Sequence, residues 1–280
     1  MSPAGKEAVF LDGATRVIPI IGDPIAQVKS PANVTRSLNE RGLNAIVVPM
    51  HVAPADVDAF IRGASLARNI DGIIVTVPHK FASYRHCATT TERAGFLEAV
   101  NVLRRNPDGS WHGDMFDGMG FVGGVRAAGA DPAGRRALLV GAGGAGSAIA
   151  LALLDSGVSG LAIHDQDERR RDALIGRLRS RGVGEVSLGS PDPTGFDLIV
   201  NATPTGMRAD DPYPLLVDRL EPGMFVGDVI TAPLVTPLIE AARRIGCTTQ
   251  IGFGMFTAEL ELMVDFLSED GRESADRNVA

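Results

Sequence analysis

Apolar residues in the first third of the chain come in short unbroken runs rather than in strict alternation. "RVIPIIG" (16–22), "NAIVVPM" (44–50) and "GIIVTV" (72–77) are rich in β-branched residues and nearly free of charge. That is the pattern of strands buried on both faces. Between them, "PANVTRSLNERG" (31–42) and "PADVDAFIRGASLA" (54–67) read as helices, each with Pro near its first turn, where a missing N–H costs nothing. Strand–helix–strand alternation predicts a parallel sheet. "AVNVLRRNPDGSWHG" (99–113) reads as a hairpin that turns at Asn106-Pro107-Asp108-Gly109.

A second α/β stretch follows. "RRALLVG" (135–141) is a strand, "GGAGSAIALALLDSG" (143–157) a helix and "GLAIHD" (160–165) a strand. An Arg-rich helix leads to strands at "FDLIVNAT" (196–203) and "MFVGDVI" (224–230), a helix at about 235–245, and a last strand at "TTQIG" (248–252). The segment "DGMGFVGGVRAAG" (117–129) reads as a helix crossing between the halves, and "MFTAELELMVDFL" (255–267) as a helix returning to the first. The expected division is therefore 1–117 and 118–252, with the C-terminal helix, 253–280, rejoining the first part. No internal repeat or low-complexity linker interrupts it.

Composition narrows the class. With 280 residues, 45% hydrophobic and 22% charged, the chain has the balance of a soluble globular protein. A net charge of -7 makes it a poor candidate for nucleic acid, and Arg169-Arg170-Arg171 fits a solvated helix face. Two distant cysteines, Cys87 and Cys247, make neither a disulfide framework nor a zinc site, and the five histidines have no metal spacing, so no metal is expected. The opening "MSPAGKEAVFLDGATR" lacks the apolar core of a signal peptide, and no run reaches the length of a membrane span. A cytoplasmic protein with no membrane partner is the expectation. The polar end, "SEDGRESADRNVA", is expected to fray.

Chemistry enters at "LLVGAGGAGSA" (138–148), which holds G-x-G-x-x-G at Gly141, Gly143 and Gly146. The pattern alone is weak, but here it follows an apolar strand and opens an apolar helix, the context a dinucleotide site needs. Gly141 permits the tight turn, Gly143 the close approach of a pyrophosphate, and Gly146 close helix–strand packing. The helix N-terminus around Ala142, Gly144 and Ala145 offers N–H groups to phosphate. Asp165 lies 24 residues past Gly141, at the end of the next strand, where an acid meets adenosine ribose hydroxyls. A 2′-phosphate there would face a carboxylate, at a cost of about 1 kcal/mol in water and about 4 at an effective dielectric of 20. NAD is thus expected over NADP, unless one of the three nearby arginines folds back onto a phosphate. The bland alternative for Asp165 is a cap on the following helix.

The strand "IIVTVPHK" (73–80) breaks at Pro78 and delivers Lys80 from its C-terminal end. Taken alone, Lys80 reads as a surface lysine at a helix start and Asp117 as a helix cap. The ordered series of motifs changes both readings. "PIIGDPIAQVKSP" (19–31), "VTVPHK" (75–80), "EAVNVL" (98–103), "GDMFDGMG" (113–120), "GAGGAG", "NATPTGM" (201–207), "GDVITAPLVTPL" (227–238) and "GFGMFTAELEL" (252–262) resemble, in order and over nearly the whole chain, the shikimate/quinate dehydrogenase family. The resemblance implies an N-terminal α/β substrate domain, a C-terminal Rossmann-type dinucleotide-binding domain and a cleft between them. It implies Lys80 and Asp117 as the catalytic pair. It also implies Thr203, Val229, Gly252 and Met255 beside the cofactor, and Ser30, Thr76 and Asn101 on the substrate.

The substrate half departs from the family pattern. Where the family has two serines in its first loop, this chain has Val28 and Ser30. The family's Asn before "VTVP" is Ile74, its Thr after "AVN" is Val102, and its Asn-Thr before the catalytic Asp is Met115-Phe116. Thr231 stands for a Tyr, and Glu259 for a Gln. Each lost hydrogen bond to a charged group is worth roughly 1.5–3 kcal/mol, so shikimate is expected to turn over at least about a hundredfold less well. An apolar wall at Val28, Ile74, Val102 and Met115 favours a less hydroxylated cyclic hydroxy acid or alcohol. Glu259 is expected to accept from substrate hydroxyls or an amine and to repel a carboxylate. Rival expectations are an authentic shikimate 5-dehydrogenase, a methylenetetrahydrofolate dehydrogenase-like enzyme, and a nucleotide-sensing protein that has lost turnover. The basis for a homodimer is weak.

Overall fold

The computed structural model describes residues 11–208 and 210–269. The ends of the expected first domain and of the expected returning segment, 1–10 and 270–280, lie outside the described residues, as does most of the tail expected to fray. Two six-stranded sheets carry the molecule. The first runs β1 (Arg16–Gly22), β2 (Ala45–His51) and β3 (Gly72–Val75) in parallel. The hairpin β5 (Val102–Arg105) and β6 (Trp111–Asp114) then adds antiparallel to β3, and the short β4 (Cys87–Thr90) closes the far edge. The order is β2-β1-β3-β5-β6-β4, so the parallel sheet expected from the first three strands is the core of a larger mixed one.

Crossover helices cover this sheet. α1 (Ser30–Glu40) buries Val34, Thr35, Ser37 and Leu38, and Thr35 Oγ1 accepts the Val47 N–H at 2.9 Å. α2 (Val57–Leu66) buries Val57, Ile61 and Ala64, positions four and three apart on one helical face. Two short helices, α3 (Lys80–Tyr84) and α4 (Glu92–Leu97), frame β4.

The second sheet is entirely parallel. It contains β7 (Arg136–Val140), β8 (Gly160–His164), β9 (Val186–Leu188), β10 (Leu198–Asn201), β11 (Phe225–Asp228) and β12 (Thr248–Gln250). Its order, β12-β11-β10-β7-β8-β9, reverses between β7 and β10. Ligands of such sheets sit beyond the strand ends at that reversal. α6 (Gly144–Asp155), α7 (Glu168–Ser180) and α8 (Pro237–Ile245) complete the layers.

α5 (Asp117–Ala127) joins the two halves and α9 (Gly252–Ser268) returns over the first sheet, where Phe256, Met263, Val264 and Phe266 pack with Ile18, Ile20, Val34 and Leu38. Glycines let α5 lie close to both neighbours. A Cβ at Gly118 would fall 2.2 Å from the Ala148 carbonyl oxygen of α6, and one at Gly120 would fall 2.7 Å from Glu259 Cβ of α9. On the opposite side, Arg177 of α7 donates to the carbonyls of Phe96 and Leu97 at 3.2 and 2.7 Å and pairs with Glu98. That guanidinium ties the end of α4 to the second sheet. Among the described residues no helix is long and apolar enough to cross a membrane.

Candidate active site

A cavity of about 640 Å³ lies where the C-terminal ends of β3 and β1 face those of β7 and β10, the size and place of a ligand site. β3 stops at Val75, and the chain turns through Thr76 to Pro78 into α3. His79 is buried, and its Nε2 lies 2.7 Å from the Val52 carbonyl. It anchors the turn as a hydrogen-bonding residue. Lys80, the first residue of α3, is thereby aimed across the cavity floor.

Lys80 Nζ donates to Asp117 Oδ2. The side chains are 12% and 4% exposed, so this is an ion pair withdrawn from solvent. Asp117 opens α5, where free N–H groups and the helix dipole favour a carboxylate. Asn101 bonds its other oxygen, Nδ2 donating to Oδ1 at 2.9 Å, while Asn101 Oδ1 accepts the Phe116 N–H at 3.0 Å. The Asn101 amide also donates to Glu259 Oε1. Both of its donors are thus committed to carboxyl groups, so Asn101 lines the cavity chiefly as a brace.

Glu259 is buried between α9 and α5. Burial and the neighbouring Asp117 push its carboxyl up to about 8, against the opposing pull of Lys80 and Asn101. Burial thus favours the neutral acid, with one O–H to donate and one oxygen to accept. The expected repulsion of a carboxylate requires the ionised form, which burial disfavours.

The glycine loop supplies the opposite wall. Gly141 has φ +108°, and its N–H donates to the His164 carbonyl at 2.7 Å. A Cβ on Gly146 would lie 2.0 Å from the Gly141 oxygen, so the helix closes on the strand only without a side chain. Gly141, Gly143, Gly144 and Ala145 line the cavity, whereas Ala142 is buried behind them. The donors and the close-packed backbone fit a dinucleotide pyrophosphate at the start of α6. Gly144 also meets Lys80: a Cβ there would come 3.0 and 3.1 Å from Lys80 Cδ and Cβ. The lysine stem lies directly on the cofactor loop.

Asp165 sits at the lip beyond β8 and is not free. Its Oδ2 accepts the Ala142 N–H at 2.6 Å, and its Oδ1 accepts the Asp167 N–H at 2.8 Å and Arg170 Nη2 at 2.9 Å. Burial pushes the carboxyl up, but Arg170 and the two N–H groups prevail and hold it below the ordinary range. The cap of α7 is Asp167, which accepts from the Arg170 N–H, so the bland alternative for Asp165 fails. Arg170 has folded back onto the carboxylate, and both face the cavity with Gln166.

Thr203, Val229, Gly252 and Met255, which the resemblance sets beside a cofactor, line the cavity. Thr203 Oγ1 is oriented by Asn201 Oδ1 at 2.7 Å. Val28, Ser30, Ile74, Thr76 and Thr231, which the family pattern sets on a substrate, line it too. The hydroxyls of Thr76 and Thr231 make no hydrogen bond to the protein among the described residues and are available to a ligand. Val102 and Met115 do not line it. Both are fully buried in the apolar clusters, Val102 opposite Ile74 across the β3–β5 pair. The apolar wall is therefore smaller than expected. Gln27, Lys29, Phe81 and Phe256 also face the cavity. Their positions between or beside motif residues were the only signal in the sequence. Among the described residues, no cluster of three His, Cys, Asp or Glu could hold a metal ion.

The family model for the shikimate dehydrogenase substrate binding domain matches residues 20–103. Over 244 residues the chain is 40% identical to a protein of Rubrobacter xylanophilus named shikimate dehydrogenase (NADP(+)), covering 84% of each chain. It also superposes on 5-ketofructose reductase of a Gluconobacter strain with a TM-score of 0.78 and 27% identity, covering 91% of this chain and 94% of that one. For quinate dehydrogenase of Corynebacterium glutamicum in complex with NAD the TM-score is 0.80 and the identity 27%, over 92% and 95% of the two chains.

Proposed function

Since the chain belongs to the shikimate/quinate dehydrogenase family of NAD(P)-dependent oxidoreductases acting on CH–OH groups, we propose that it transfers hydride between a nicotinamide dinucleotide and a small cyclic hydroxy acid or related alcohol. Lys80 and Asp117 are its catalytic pair. The division at about residue 117, with the helix from 253 returning to the substrate side, belongs to the same proposal. One observation carries it: the buried Lys80–Asp117 pair, with its lysine stem lying on Gly144 of the cofactor loop.

The bound dinucleotide supplies the hydride acceptor or donor. The chain supplies the rest. Lys80 keeps N–H donors free of Asp117 for the reacting oxygen and carries its proton as carbonyl and alcohol interconvert. Asp117 holds Nζ and is itself held by Asn101, and Met255 and Phe256 line the cavity with apolar side chains. Ser30, Thr76 and Thr231 offer hydroxyls to the substrate. Val28 and Ile74 offer none, which supports the reading that shikimate is a poor substrate.

NAD is the preferred cofactor in this proposal. A 2′-phosphate at the lip would meet the ionised Asp165 and would have to draw Arg170 away from it. The test is a screen for reduction of NAD and of NADP with shikimate, quinate, aminoshikimate and less hydroxylated cyclic alcohols. Turnover of a cyclic alcohol with NAD, with shikimate slow, is the expected result. Efficient shikimate oxidation with NADP would instead make it an authentic shikimate 5-dehydrogenase, as the relatives' names suggest. Cofactor binding without reduction of either dinucleotide would leave a nucleotide-sensing protein.

A further inference from the structure

Glu259 stands at the inner end of the cavity in a cluster whose charges do not balance. Three groups face it: Lys80 from α3, Asp117 from α5, and the neutral amide of Asn101 from the segment before β5. β5 contributes the apolar Val102 nearby. Ser37 of α1 and Arg41, which caps it, bond Glu261 and Asp265, on the other side of α9. One ammonium therefore serves two buried carboxyl groups, and one amide is shared between them. A second negative charge without a second cation is costly in such a place. Glu259 Oε1 is occupied by Asn101, while Oε2 makes no hydrogen bond to the protein among the described residues and the side chain lines the cavity.

We propose that Glu259 is a specificity-determining residue: it meets the substrate as a neutral acid, donating from Oε2 to an oxygen beside the reacting carbon, and its ionisation turns the pocket against substrates that carry a carboxylate. The proposal rests on the dehydrogenase reading of the same site. The carboxyl is raised to about 8, so the change of charge falls within the working range of an enzyme. Once ionised, Glu259 would add a second negative charge to the cavity that must hold the carboxylate, where the one ammonium, Lys80, is already paired with Asp117. It would also turn from a donor into an acceptor, a change a neutral substrate tolerates by rotating a hydroxyl.

The experiment compares shikimate with its methyl ester, two probes with the same ring hydroxyls and different charge. kcat/KM is measured for both between about pH 6 and pH 9, in the wild type and in Glu259→Gln. In the wild type the ratio of acid to ester is expected to fall at least about tenfold as pH rises, and in Glu259→Gln to stay level. A level ratio in the wild type, or the same fall in Glu259→Gln, overturns the proposal. Carbon-13 NMR titration of the glutamate carboxyl groups decides independently of turnover. A resonance that titrates above pH 7 and is absent from Glu259→Gln is expected, and titration of that resonance in the ordinary carboxylate range overturns the proposal. If neither probe is turned over at any pH, the titration alone decides the proposal, and the dehydrogenase reading is judged separately by the screen of cyclic alcohols.

Discussion

Replacing Asp165 by Asn should shift cofactor preference toward NADP, and the structure sets the size of the shift. In the wild type a 2′-phosphate at the lip meets one carboxylate and one guanidinium that are bonded to each other at 2.9 Å. Arg170 is held by the carboxylate, so it offers a 2′-phosphate little attraction while the Asp165 charge still opposes one. At about 4 Å each unit charge pair is worth about 1 kcal/mol in water and about 4 at an effective dielectric of 20. The Arg170 side chain is 48% exposed, which places the pair toward the lower figure. Removing the carboxylate charge should therefore favour NADP by about 1–2 kcal/mol, roughly five- to thirty-fold in the ratio of dissociation constants. Asn is the chosen replacement because its carbonyl still accepts the Ala142 N–H and keeps the glycine loop in place. Titration with NADH and NADPH, followed by the fluorescence of the reduced nicotinamide, measures both constants. The wild type should bind NADH more tightly. A ratio that moves less than about twofold in Asp165→Asn would refute the electrostatic reasoning.

Other consequences concern packing, protons and the substrate wall. Gly118→Ala places a Cβ 2.2 Å from the Ala148 carbonyl oxygen, so α5 must move away from α6. A loss of about 1–3 kcal/mol in thermal unfolding should accompany a turnover loss larger than the loss of cofactor affinity, because Asp117 rides on that helix. Burial raises Glu259, so the unfolded chain releases this proton first. The contribution of the group is fully present below its ordinary value of 4.5 and is lost as pH rises through about 8. Glu259→Gln should therefore gain stability over the wild type across that window, by a few kcal/mol near pH 8, and a constant difference in Tm across it would contradict the assignment. Val28→Ser with Ile74→Asn should raise kcat/KM for shikimate at least about tenfold, whereas adding Val102→Thr should only lower Tm, since Val102 lies in the core.

The buried strand runs, the glycine loop and the long helices were legible because each spans enough residues to show a pattern. α3, β4, α4 and β9 were not. They hold 5, 4, 6 and 3 residues and lack the unbroken apolar run that marks β3 and β10 at four. α4 did carry a local signal, Thr91, whose hydroxyl accepts the Ala94 N–H as a cap. In the site, motif order identified residue types but not their partners. Asn101 looks like a substrate ligand until its two donors are found on Asp117 and Glu259. Glu259 looks like an anion until its burial is known. Val102 and Met115 look like wall residues until their burial places them in the two apolar clusters. Contacts between distant segments decided each case.

The central claim is that Lys80 acts in the chemistry and not in holding the cofactor. Lys80→Met tests it most directly, because methionine retains the aliphatic stem against Gly144 and removes only the ammonium. With the best substrate from the screen, kcat should fall by about 10²–10⁴-fold while the dissociation constant for the dinucleotide changes less than about threefold. Near-wild-type turnover in Lys80→Met, or a loss of turnover matched by an equal loss of cofactor affinity, would contradict the account.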